Sequence, residues 1–244
     1  GKWTGGYMTS FPLYKQPFIF ANFNGTTADV DVITHEAGHA FAYYLGADDF
    51  TTELDLGGME TAETHSMSME FFAWKYMDKF FGKDEAKYRY KHLADALTFI
   101  PYGTIVDYFQ HIVYENPDLT PAQRKAEWKK LEQKFRPYMN ADGITYLELG
   151  TRWQYQNHIF ESPFYYIDYC LAQTVAIEFL EESLKDYDGA LKRYFDFARK
   201  TGNYKFTDLV KAAGLKSPFE EGALKEVSAT CEKLLDDLAT QIKD

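Results

Sequence analysis

From about Thr27 the sequence is written in the period of the α-helix, and that constrains the fold more than any other feature. Helical patterns are expected at about 27–45, 58–81, 84–99, 102–115, 121–136, 144–156, 164–184, 187–200, 205–213 and 218–241. Thr120-Pro121 and Ser217-Pro218 each set a capping residue before a proline at the first helical position. Asn116-Pro117, Arg136-Pro137 and Ser162-Pro163 read as breaks. Only residues 6–22, rich in Tyr, Phe and Thr and cut by Pro12 and Pro17, suggest one or two short strands. With no repeat or Gly/Ser linker, the expectation is one mainly α unit over residues 1–244, with a small β element near its start.

The formal charge is −11, from 26 Lys+Arg against 37 Asp+Glu, which argues against a nucleic-acid partner. The longest apolar runs, such as Phe18 to Ala21, fall far short of a membrane span, and no secretory signal is visible. Two cysteines, Cys170 and Cys231, cannot build a disulfide framework, so a reducing, cytoplasmic setting is expected. Aromatic residues make up 18% of the chain, and most of them are expected in the core. The chain opens on Gly1 rather than Met and is read as a portion of something longer.

The chemistry concentrates at His35-Glu36-Ala37-Gly38-His39. Four residues along a helix is a rotation of about 40°, so both imidazoles point the same way, one turn apart. They can share one Zn²⁺, with Glu36 beside it to take a proton from the attacking water. Ile33, Ala37, Ala40, Phe41 and Tyr44 fall on the opposite, apolar side of the helix. Thr26 or Thr27 can cap the helix, and Asp29 suits its first turn. Gly38 in mid-helix costs about 1 kcal/mol relative to Ala, which points to close approach by another backbone or a substrate. A third protein ligand is needed, and the next helix offers Glu60, Glu63 and Glu70. Spacing alone does not choose between Glu60 and Glu63.

The segment 152–173 is rich in aromatics, with Tyr166 and Tyr169 at i, i+3 on one helix face and His158 before the proline that marks its start. Phenol and imidazole groups can donate to the oxyanion of a tetrahedral intermediate.

At these residues the chain resembles the catalytic region of the oligoendopeptidase F and thimet oligopeptidase family of zinc metallopeptidases. The resemblance rests on Gly1-Lys2 with Gly5-Gly6-Tyr7, HEAGHAFAYYLG at 35–46, ETHSMSMEFFAW at 63–74 and HIFESPFYYIDYCLAQ at 158–173, the last closest to the oligoendopeptidase F branch. It implies a multi-helix zincin-type catalytic domain holding one Zn²⁺ through His35, His39 and Glu63, with Glu36 as general base. Glu70 matches a family glutamate that sits behind the site and orients a ligand histidine. His158, Tyr166 and Tyr169 match substrate-facing positions that stabilise the oxyanion. The spacing departs from the thimet branch, which leaves Tyr165 against Tyr166 open. His65, His92 and His111 match no ligand position and are read as structural or surface.

The activity this implies is endopeptidase cleavage of short peptides, with no nucleic-acid or membrane partner. Two rivals remain. One is a zinc-binding but weakly active portion that needs a missing N-terminal helical region or self-association, which an exposed apolar surface on the 84–136 helices would favour. The other is a metallocarboxypeptidase on a related scaffold.

Overall fold

The computed structural model describes residues 5–48 and 57–242. Gly1 and Lys2, which carry part of the resemblance, lie outside them. The described chain is mainly helical, as expected, with a two-stranded sheet at its start. β1 (Gly6–Phe11) and β2 (Gln16–Ala21) pair antiparallel, from Gly6 opposite Ala21 to Phe11 opposite Gln16. The chain forms two compact units, Gly1–Asp95 with Leu171–Asp244, and Ala96–Cys170. Among the described residues no helix is long and apolar enough to cross a membrane.

In the first unit, α1 (Ala28–Gly46) packs on the hairpin, on α2 (Met59–Phe72) and on α9 (Tyr187–Lys200). Thr27 precedes α1 without a capping side-chain bond; Asp29 instead reaches back to accept the amides of Asn24 and Gly25. Tyr44, expected on the packed side, is exposed, and the buried positions are Thr34, Glu36, Gly38, Ala40 and Tyr43. Gly38 is where the second helix comes closest. A Cβ there would sit 2.6 Å from Ser66 Cα and 2.8 Å from the His65 carbonyl carbon, so the mid-helix glycine is required by a neighbouring backbone.

α2 is buried on almost every side despite the sequence Thr-Ala-Glu-Thr-His-Ser, because its polar groups bond inward. Thr64 Oγ1 donates to the Glu60 carbonyl (2.7 Å), and Ser66 Oγ donates to the Glu63 carbonyl and to Glu63 Oε2 (both 3.0 Å). The expected helix 58–81 is interrupted after Phe72. The Trp74 carbonyl accepts the Met77 amide in a tighter turn and also accepts Arg89 Nη2. A one-turn helix, α3 (Asp78–Phe81), follows. The apolar core of this unit gathers Phe72, Phe179, Tyr194, Phe197, Phe206 and Leu209. Two of these come from α9 and two from α10 (Phe206–Ala212).

α4 (Glu85–Glu115) is one helix where two were expected; it runs through Pro101, and its distal face buries Ile105, Val106 and Phe109. Burying three large side chains offsets the roughly 3 kcal/mol that an internal proline costs. In the second unit these residues pack on Trp128 and Leu131 of α5 (Pro121–Phe135), and on Trp153 and Tyr166. α5 opens with the expected cap, Thr120 and Gln123 bonding reciprocally. The expected helix 144–156 is instead α6 (Thr145–Glu148) and a tight turn at Arg152–Tyr155. Between them Gly150, at φ 66°, lies where a Cβ would collide with the Lys125 carbonyl. The remaining helices are α7 (His158–Glu161), α8 (Tyr166–Lys185) and α11 (Ala223–Gln241). α11 starts five residues after Pro218, because Ser217–Glu220 closes a turn of its own.

Fewer aromatics are core than composition suggests: Tyr14, Tyr155, Phe160 and Phe219 are all more than half exposed. On α4, Tyr90, Tyr108 and Tyr114 are exposed as well.

Candidate metal centre

α1 presents His35 and His39 one turn apart, with rings 5.0 Å between centroids and nearly perpendicular. The contact at Gly38 lets α2 set Glu63 beside them. Glu63 Oε2 lies 3.3 Å from His35 Nε2 and 3.5 Å from His39 Nε2. One donor atom from each of the three residues lies within 4.8 Å of the others. Donors about 2.0–2.1 Å from one tetrahedral ion are separated by about 3.3–3.4 Å, so the spacing fits, and two imidazoles with a carboxylate are a donor set that suits zinc. Glu60, the alternative left open by spacing, folds its carboxylate back over Gly58 at the start of α2.

The charges favour a cation here. Burial would lower the His35 pKa, but the hydrogen bonds and charges of Glu63 and Glu70 outweigh it and push it up to about 10. Burial would raise Glu63, yet the two imidazoles hold it far below the usual carboxylate range. Glu36 is buried against the hairpin, where it is hydrogen-bonded to the Met8 backbone. Its pKa is raised, chiefly because burial disfavours the charged carboxylate, with His35 and His39 opposing.

Glu70 stands behind His35, with Oε1 2.7 Å from His35 Nδ1. Sequence reasoning missed what stands behind Glu70. His92, read as structural or surface, is buried with Nε2 2.7 Å from Glu70 Oε2. Twenty-two residues separate the two, so no local spacing could pair them. His65 is structural, bonded to Thr201 Oγ1 (2.8 Å), and burial brings its pKa down to about 3. His111 is exposed beside Asp107 (3.4 Å).

In the second unit, His158 gathers the predicted tyrosines. Its ring centroid lies 4.9 Å from Tyr166, 5.8 Å from Tyr169 and 5.9 Å from Tyr165. Gln156 Nε2 is 2.7 Å from His158 Nδ1, and the Tyr165 hydroxyl donates to that of Tyr169 (3.0 Å). The Tyr166 ring is buried in the apolar core, and its pKa is raised mainly by that burial.

The chain matches the model of peptidase family M3 over residues 1–229. Oligopeptidase PepF of Bacillus subtilis (strain 168) is 22% identical over 247 residues, covering 98% of this chain and 36% of that protein. The structure of PZ peptidase A with an inhibitor superposes with a TM-score of 0.94 at 48% identity, covering 98% of this chain and 42% of that one. A protein from Bacillus anthracis str. Ames, assigned as oligoendopeptidase F, gives 0.84 at 42% identity, covering 97% and 39%. The chain thus spans less than half the length of the relatives it matches, and within that span it belongs to peptidase family M3.

Proposed function

We propose that the chain is the catalytic portion of a zinc-dependent endopeptidase acting on short oligopeptides. The observation that carries this reading is the His35, His39 and Glu63 donor group with the Glu36 carboxylate on the next residue of the same helix. His35, His39 and Glu63 would hold the zinc ion, which would supply Lewis acidity to the scissile carbonyl and the attacking water. Glu36 is the general base: its carboxylate takes the proton of the attacking water and later delivers it to the leaving amine. Burial, which raises its pKa, suits it to holding that proton between the two transfers.

His158, Tyr166 and Tyr169 act as donors to the developing oxyanion. Tyr166 is the tyrosine best suited to this role: among the described residues its hydroxyl makes no hydrogen bond, whereas Tyr165 and Tyr169 engage each other. A reducing, cytoplasmic setting accompanies the proposal, resting on two buried thiols, Cys170 and Cys231.

The test is metal analysis with peptide cleavage. Wild type and Glu36→Gln should each carry about one zinc, with turnover lost in the variant, while Glu63→Ala should lose the metal. Full zinc in Glu63→Ala removes Glu63 as third ligand. Mass spectrometry of products from end-blocked peptides separates internal cleavage from trimming. Survival of blocked peptides while free C-termini are shortened would replace the endopeptidase with a carboxypeptidase. A second reading has metal bound but turnover weak; the chain spans 36% and 42% of the length of two relatives. Stoichiometric zinc with negligible cleavage in wild type selects that reading.

A further inference from the structure

Two rungs of hydrogen bonds, each a turn apart on both helices, tie α1 to the start of α4 within the first unit. Tyr88 hydroxyl donates to Asp31 Oδ1 (2.6 Å), and His92 reaches His35 through Glu70. Asp31 and His35 are one helical turn apart, as are Tyr88 and His92. His92 is packed among aromatics: Tyr88 lies parallel to it at 5.7 Å, and Phe71 is 4.9 Å away. Trp74 Nε1 lies 2.9 Å from His92 Nδ1.

This last contact sets which nitrogen of His92 donates. An indole N–H can only donate, so His92 Nδ1 accepts, and the neutral ring must carry its proton on Nε2. That proton faces Glu70 Oε2. The Glu70 carboxylate accepts it across 2.7 Å. Its other oxygen therefore accepts from His35 Nδ1–H. With Nδ1 engaged by Glu70, Nε2, the nitrogen beside Glu63, is the one that can offer a lone pair to a metal ion, the ion displacing its proton.

We propose that His92, oriented by Trp74, is a positioning residue for the metal group: it anchors the Glu70 carboxylate so that His35 presents Nε2 to the ion. The proposal rests on the metal-binding reading above. Without the His92 donor, Glu70 keeps one partner of two and is free to turn, and His35 loses its fixed tautomer and ring orientation.

The test uses the metal-free 244-residue chain. Zinc affinity is measured by competition with a chromophoric chelator, the Co²⁺ visible spectrum is recorded, and the melting temperature of each metal-free variant is followed in parallel. His92→Phe fills the space without a donor and should weaken zinc about tenfold and alter the Co²⁺ spectrum. His92→Gln, which keeps an N–H for Glu70, should recover most of the affinity. Trp74→Phe should fall between them. Wild-type affinity and spectrum in His92→Phe overturn the proposal. So does an equal loss of affinity in His92→Phe and His92→Gln that follows the fall in melting temperature. Should His92→Phe fail to fold, wild-type affinity and spectrum in Trp74→Phe overturn it. Failure of the underlying reading has a separate signature: His39→Ala would bind zinc as tightly as wild type, and the positioning role would fall with it.

Discussion

The polar group of α1, α2 and α4 and the aromatic group around His158 bring candidate site residues together by opposite means. In the first, each polar atom that matters is held by another: His35 by Glu70, Glu70 by His92, His92 by Trp74. In the second, position comes from packing: Tyr166 is wedged among Phe99, Tyr102 and His158, and its hydroxyl bonds to nothing in the described protein. The contrast follows from the task proposed for each. A metal ligand needs its lone pair aimed before the ion arrives, so it must be bonded from behind. A donor to an oxyanion must keep its proton for a charge that appears only in the transition state.

The largest expected effect belongs to the first group. Glu36→Gln should reduce turnover about 10³-fold while zinc content stays near one per chain; turnover within tenfold of wild type would show that another group moves the proton. Next comes the second group. Tyr166→Phe should lower kcat about 10²-fold and leave the melting temperature unchanged, since the hydroxyl supports no part of the fold. Unchanged kcat in that variant would make Tyr166 core and shift the oxyanion role to Tyr169 and His158.

A packing prediction follows at a smaller scale. Gly38→Ala should destabilise the chain by about 1–3 kcal/mol, read by urea denaturation, because α1 and α2 must separate. Stability within 0.5 kcal/mol of wild type, as is usual for indifferent surface sites, would mean that the helices yield easily.

The smallest effect lies outside both groups. Burial raises the Glu178 pKa to about 7, against the opposing backbone hydrogen bond from Lys216. Its folded pKa thus exceeds the unfolded value of 4.5, so the folded state binds more protons between those limits. Stability contributed by this group is present below about pH 4.5 and is lost as pH rises through about 7. Glu178→Gln should therefore stabilise the chain at pH 8 relative to pH 5 by about 1 kcal/mol, solvent screening at this half-buried site reducing the full value. Parallel pH profiles for wild type and variant would contradict it.

Much of this was legible in the chain. The spacing of His35 and His39 is a single-helix property, and Gly38 announced a close neighbour. Where the outcome depended on distant packing, local pattern failed. Pro101 looked like a helix boundary, but α4 continues because Ile105, Val106 and Phe109 have a core to fill. Residues 144–156 have helical periodicity, yet the chain must pass the Lys125 carbonyl at Gly150. The choice of Glu63 over Glu60 beside the imidazoles depends on a side chain folding back over Gly58. His92 had no signal at all, because its partners Glu70 and Trp74 reach it only through tertiary structure.

The contact at Gly38 bears on more than stability. Two of the donors ride on one helix and the third on another, so the width of the donor triangle is an interhelical distance. That distance is set where a hydrogen atom replaces a methyl group against the backbone of His65 and Ser66. The size of ion the group can grip is thus gauged by a residue that offers no donor atom of its own.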